Sequence, residues 1–183
     1  MISSFIRGIV AKYNVQYENS STQIDFPQEI ASNVIAWGQR YIPEEDLHND
    51  GKDTKGREDN IHATLLYGLK TKDPEDVRKI LAGMKPFTIR LGLITGFLDK
   101  PAYDVLKIDV EAPELYRMHY ALRNALPNDN SFPTYSPHCT VAYLKKGKAL
   151  RFFGCSNFRN EEFPVNGIVF STPDGNRIPI TFK

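Results

Sequence analysis

Alternation and helical spacing divide the chain into short strands and amphipathic helices. Thr22, Ile24 and Phe26 alternate with Ser21, Gln23 and Asp25, which predicts a strand. Ile30, Val34, Trp37 and Tyr41 fall at i, i+4, i+7 and i+11, one apolar stripe on a helix over 28–41. Pro27 sits at its first turn, with Asp25 or Phe26 near the cap, and Pro43 ends it. Residues 60–69, NIHATLLYGL, predict an apolar-rich strand. Asp73 as N-cap and Pro74 at the first position start a second helix, which buries Val77, Ile80 and Leu81 and stops at Gly83. Phe87, Ile89, Leu91 and Leu93 alternate with Thr88, Arg90 and Gly92. After a turn at Asp99-Lys100-Pro101, Leu106, Ile108 and Val110 alternate with Val105, Lys107 and Asp109. Pro113 opens a helix with Leu115, Met118, Leu122 and Leu126 on one face. A strand over 135–144 follows, and strands over 163–171 and 177–182 flank the turn Pro173-Asp174-Gly175-Asn176. The spacing of Phe5, Ile6, Ile9, Val10 and Tyr13 adds a short N-terminal helix.

The order is β α loop β α β β α β and a hairpin. Helices that alternate with strand pairs predict an α+β protein, its mostly antiparallel sheets covered on one face by helices. One segment does not fit. In Pro43–Asn60, PEEDLHNDGKDTKGREDN, ten of 18 residues are charged. A loop of that length is either a flap over a site or a solvated insertion.

Composition narrows the classes. A chain of 183 residues predicts one domain, or two small lobes folded as one unit. Residues 1–19 are read as an N-terminal extension and 20–183 as a single domain. Lys and Arg total 23 against 22 Asp and Glu, a net charge of +1, which excludes a polybasic coat for extended duplex nucleic acid. No apolar stretch approaches the roughly 20 residues of a membrane span. The N-terminal MISSFIRGIVAKY is broken by Arg7 and Lys12 and has no signal-peptide core, so a cytoplasmic location is expected. Two cysteines, Cys139 and Cys155, cannot alone hold a metal cluster or a disulfide framework.

The chemistry lies in a repeated hexapeptide. Residues 62–67 read His-Ala-Thr-Leu-Leu-Tyr and residues 138–143 read His-Cys-Thr-Val-Ala-Tyr. Both are His-x-Thr-apolar-apolar-Tyr on predicted strands. Positions i and i+2 share a strand face, so His62 pairs with Thr64 and His138 with Thr140. Ala63, Leu65 and Tyr67, and likewise Cys139, Val141 and Tyr143, should turn the other way and pack under the helices. Two histidines can divide general acid and base work near neutral pH, and two threonine hydroxyls can donate to non-bridging phosphoryl oxygens. That set serves in-line displacement at phosphorus without a metal.

The paired motif resembles the 2H phosphoesterase superfamily, which includes LigT-like 2′-5′ RNA ligases and cyclic phosphodiesterases. The resemblance covers residues 20–182, with its specific match in the two motifs. It implies a bilobal fold with a pseudo-two-fold central cleft, His62 and His138 as acid and base, Thr64 and Thr140 as phosphate ligands, and no metal or other cofactor. LigT proteins often carry Arg five residues after the second motif histidine, where this chain has Tyr143. STQIDFP, GREDNIHATLLYGL and the two motif tyrosines look more like viral and bacterial branches outside LigT proper. The implied substrates are a 2′,3′-cyclic phosphate, a 2′-5′ oligonucleotide or a cyclic oligonucleotide signal of antiviral immunity. The alternatives are a non-catalytic nucleotide- or RNA-binding module and an RNA end-joining enzyme.

Lys107 and Arg90 lie opposite the apolar sets of their strands and could counter phosphate charge, against the plainer reading of an exposed face. Lys145, Lys146 and Lys148 could rim the site or be a solvated strand end. Tyr135 and Phe132 could stack on a base or belong to the core. Lys107, Tyr135 and Lys145 are taken as the substrate-binding candidates. His48 and His119 are read as structural, Trp37 as core, and Cys139 as a buried thiol that points away from His138.

Overall fold

Residues 18–51, 54 and 56–183 are described by a computed structural model. The elements are β1 (Ser20–Asp25), α1 (Gln28–Tyr41), β2 (His62–Leu69), α2 (Pro74–Ile80), β3 (Phe87–Phe97), β4 (Tyr103–Glu111), α3 (Pro113–Ala125), β5 (His138–Lys145), β6 (Glu162–Val165), β7 (Gly167–Ser171) and β8 (Arg177–Thr181). The helix expected over Phe5–Tyr13 lies outside the described residues. Asp73 caps α2 as expected, its side chain accepting from Glu75 N at 2.9 Å. Pro27 is itself the N-cap of α1 rather than its first helical residue, and its carbonyl accepts from Ala31 N at 2.9 Å.

The strands form one eight-stranded sheet in the order β6-β3-β4-β5-β2-β1-β7-β8, with antiparallel pairings throughout. It divides into two four-stranded halves that meet at β5 and β2. The expected strand over 163–171 is two strands, and the break explains the curl of the sheet. Asn166 alone separates β6, at one edge, from β7, next to the opposite edge. One residue spans about 3.5 Å, so the sheet must curl until its ends approach. Phe182 N donates to Asn166 O at 2.8 Å, and the Phe87 and Phe182 rings close the seam at 6.1 Å.

Helices cover the outer face. α3 packs on β2 and α1 on β5, so each helix leads into one central strand and covers the other. Val34 and Trp37 bury the α1 stripe, and Trp37 meets the Phe152 and Phe158 rings at 5.7 and 6.1 Å. Burying side chains of this size is worth about 1.5–3 kcal/mol each.

Both central strands carry a bulge at the same motif position. Gln23 and Thr22 of β1 oppose Thr64 and Leu66, which leaves Leu65 as the extra residue. Lys107 and Leu106 of β4 oppose Thr140 and Ala142, which leaves Val141 extra. A bulge shifts the two-residue period by one. Leu65 with Leu66, and Val141 with Ala142, are therefore all buried. Contrary to simple alternation, Tyr67 and Tyr143 do not join the packed set. Tyr67 is 50% exposed, and Tyr143 meets Tyr103 edge-on at 5.9 Å. β3 shifts likewise between Leu91 and Ile94, so Ile94 is buried and Leu93 is not.

The described residues of the charged 43–60 segment are knitted to the sheet. His48 N donates to Tyr143 O, Glu58 N to Val141 O, and Tyr143 N to Gly56 O, at 2.9, 2.9 and 2.7 Å. Arg57 binds the carbonyls of Gly38 and Ile42 at the end of α1 and pairs with Glu44. The far end of β2 is edged in the same way, with Asp129 N donating to Gly68 O at 2.9 Å. Gly68 has φ +84°, and a Cβ there would lie 3.2 Å from Asp129 N, so glycine is needed at this crossing.

Candidate active site

β2 and β5 touch in register at one pair, Ala63 opposite Cys139. Continuing that antiparallel register by one residue sets His62 opposite Thr140 and Thr64 opposite His138. The four motif side chains therefore occupy adjacent positions on one face at the join of the two half-sheets. All four are partly exposed, while Ala63, Leu65, Cys139 and Val141 behind them are buried.

Both rings are held in the same way. Nδ1 of His62 lies 2.6 Å from Asn60 O, and Nδ1 of His138 lies 2.7 Å from Ser136 O. A carbonyl only accepts, so each Nδ1 carries the hydrogen and each neutral ring keeps its lone pair on Nε2. Among the described residues neither Nε2 nor the Thr64 and Thr140 hydroxyls have a side-chain hydrogen-bond partner. Four unused polar atoms thus face one place.

The flanking strands repeat the symmetry. Gln23 and Asp25 lie beside Thr64 and His62, and Lys107 and Asp109 lie beside Thr140 and His138. Gln23 donates to Asp25 at 2.8 Å, and Lys107 pairs with Asp109. The sequence held a signal for this frame: Gln23-Ile24-Asp25 and Lys107-Ile108-Asp109 each lie at or near the end of a strand, shortly before a proline that precedes or opens a helix. Gln23, Asp25 and Asp109 join the candidate site only through pairing with the neighbouring strand, which a single-strand pattern does not contain.

Lys107 is 5% exposed, and its Nζ also donates to Thr95 Oγ1 at 2.8 Å and lies 4.9 Å from the Phe97 ring centroid. Phe97 meets the His138 ring edge-on at 4.9 Å. Burial is the chief cause that holds His138 below the ordinary histidine pKa. The Ser136 carbonyl opposes that shift, the Lys107 and His62 charges add to it, and Asp109 opposes it.

The other candidates fall elsewhere. Tyr135 stacks on His119 with centroids 4.0 Å apart, and its hydroxyl donates to Thr64 O at 3.0 Å. One ring face is therefore occupied and the residue supports β2 from within the core, while burial raises its phenol pKa. Lys145 is exposed at the opposite end of β5, seven residues from His138. At about 3.3 Å per residue that is about 23 Å away, so it lies outside the site. Lys146 binds the carbonyls of Leu98 and Lys100 at 2.6 and 2.9 Å. Arg90 pairs with Glu162 at 2.9 Å, and Phe132 is 57% exposed. His48 stacks on Tyr103 at 5.1 Å, and His119 is buried with Nδ1 on Leu65 O at 2.6 Å. The Cys139 thiol is buried, which raises its pKa. Among the described residues no three His, Cys, Asp or Glu side chains form a metal-holding group, and no helix is long and apolar enough to cross a membrane.

Known structures share this architecture. Escherichia coli LigT complexed with 3′-AMP superposes with a TM-score of 0.61 at 20% identity, over 89% of this chain and 95% of LigT. TT0787 of Thermus thermophilus gives 0.60 at 18% identity over 88% and 93%. Kluyveromyces marxianus Usb1, also solved with uridine monophosphate, gives 0.59 at 11% identity over 91% and 99%. No curated protein sequence matches the chain significantly. The family model of the 2′-5′ RNA ligase superfamily matches residues 45–176, well over half of the chain and inclusive of both motifs. With that match, the antiparallel two-halved sheet and its paired strands, the chain belongs to the 2′-5′ RNA ligase superfamily, the 2H phosphoesterases.

Proposed function

We propose that the chain is a metal-independent phosphodiesterase that hydrolyses a nucleotide phosphodiester: a 2′,3′-cyclic phosphate, a 2′-5′ oligonucleotide or a cyclic oligonucleotide signal. The family supports phosphoester chemistry. The observation that carries the finer reading is the set of two free Nε2 atoms and two free threonine hydroxyls on adjacent strands.

One histidine takes a proton from water as the water oxygen bonds to phosphorus. The phosphorus–oxygen bond to the leaving group breaks, and that oxygen takes a proton from the other histidine. Thr64 and Thr140 donate to the non-bridging oxygens, with Lys107 as the nearby cation. Nucleotides bound in LigT and Usb1 structures support a nucleotide as the ligand.

The test is a mass-spectrometric screen of 2′,3′-cyclic nucleotides, 2′-5′ and 3′-5′ oligonucleotides, and cyclic di- and trinucleotides. Turnover that persists in EDTA and disappears in both His62→Ala and His138→Ala is the expected result. Full activity in both variants refutes the proposal. Ligated product in place of hydrolysed product assigns the same acid–base pair to end joining.

A further inference from the structure

A cavity of about 230 Å³ opens beside Asp109, lined in part by Arg90, Gly92, Glu111, Arg159 and Asn160. The β3 register shift lies beside it, where residues 91–94 of β3 run against 110–108 of β4. Gly92 lies within that shift. A Cβ there would sit 3.1 Å from Asp109 Cβ and 3.4 Å from Glu111 Oε1, so a side chain at this position would press on the two acidic residues of the lining.

The cavity adjoins the candidate site. Lys107, Asp109 and Glu111 share a face of β4, and Asp109 is the register partner of His138. One strand spacing of about 5 Å and one two-residue step of about 7 Å separate His138 from Glu111. A nucleoside attached to a phosphate at His138 spans that distance.

The partners of the lining groups narrow the ligand. Arg90 is held by Glu162, and Asp109 by Lys107 and Thr95. Among the described residues, Glu111 and Arg159 have no side-chain hydrogen bond or ion pair. A second phosphate would meet the carboxylates of Asp109 and Glu111. A purely apolar group would desolvate Glu111 and Arg159 without compensation. A heterocycle with donors on one edge and acceptors on another satisfies both. Guanine presents N1–H and N2–H to a carboxylate and O6 and N7 to a guanidinium, two bidentate pairs.

We propose that this cavity is a base subsite selective for guanine on the nucleoside next to the reacting phosphate. The proposal rests on the nucleotide reading above. Its test is calorimetric binding of guanosine and uridine 3′-monophosphates to the wild-type chain, Glu111→Gln and Arg159→Met, with thermal melts to confirm folding. Guanosine 3′-monophosphate should bind at least about 10-fold more tightly, and either substitution should bring the ratio towards one. Equal binding, no binding of either nucleotide, or a ratio unchanged in both variants overturns the subsite. Binding needs no turnover, so the two readings fail separately. Selective binding without hydrolysis of any substrate refutes the phosphodiesterase alone, and hydrolysis without base preference refutes the subsite alone.

Discussion

Beside Thr64 of the first half-site stands Gln23, and beside Thr140 of the second stands Lys107. The rest of the frame is duplicated: the His-x-Thr strand, the bulge after threonine, the Nδ1 bond to the carbonyl two residues back, and the neighbouring aspartate. Asp25 is neutralised from the rim by Arg177, and Asp109 from within by the buried Lys107. A fold duplicated in geometry has thus become polar in charge. In the proposed reaction this symmetry supplies acid and base on opposite sides of one phosphorus, and the lysine makes the two sides unequal.

The largest expected effect tests what the halves share. His62→Ala and His138→Ala should each lower kcat by about 10²–10⁴, and the double variant should cost little more than one of them, because the proposed reaction uses the histidines as a pair in one step. A normal rate in one single variant would show that the halves do not cooperate.

Lys107→Gln makes the halves alike. Hydrogen bonds from a charged donor are worth about 1.5–3 kcal/mol, so kcat/KM should fall by about 10- to 150-fold. The same variant has a pH signature. Burial, Lys107 and His62 depress the His138 pKa, so the neutral ring persists below the ordinary histidine range. With His138 as the base, loss of the lysine should move the acidic limb of the kcat/KM profile to higher pH; an unmoved limb would place Lys107 out of electrostatic contact with that base.

The bulges differ as well. Thr22 Oγ1 accepts from Leu66 N at 3.2 Å within the β2 bulge, where the β5 bulge has Leu106. Thr22→Val should cost about 1–3 kcal/mol in denaturant unfolding, since it strands a buried amide. Tyr135→Phe removes the bond to Thr64 O and should cost about 0.5–1.5 kcal/mol with the site chemistry intact.

Acidification should also weaken the fold. His119 has a folded-state pKa below 6.5 because of burial, and its Nε2 is buried without a partner. The unfolded chain then binds more protons, so stability is full above about pH 6.5 and is lost as pH falls through the folded value. A denaturation series across that range should lose its slope in part in His119→Leu.

Much of this was legible in the chain. Helical stripes and proline starts located α1, α2 and α3, and the repeated hexapeptide located both central strands. The alternation rule failed after Thr64 and Thr140, where Tyr67 and Tyr143 leave the packed set. An extra residue in a ladder is defined by its partner strand, and single-strand periodicity does not contain it. The aromatic candidate Tyr135 illustrates the same limit, since its stacking partner His119 is supplied by a different element.

The sequence by itself determined the candidate groups: two His-x-Thr pairs, each on one strand face, because a two-residue period is local. The tertiary structure decided what those pairs confront. The single Ala63–Cys139 register contact brings β2 and β5 together, and the pairing of β1 and β4 beside them adds Gln23, Asp25, Lys107 and Asp109. Strand order and register are set by long-range packing and hydrogen bonding, so residues distant in the chain became one site only when the sheet closed around them.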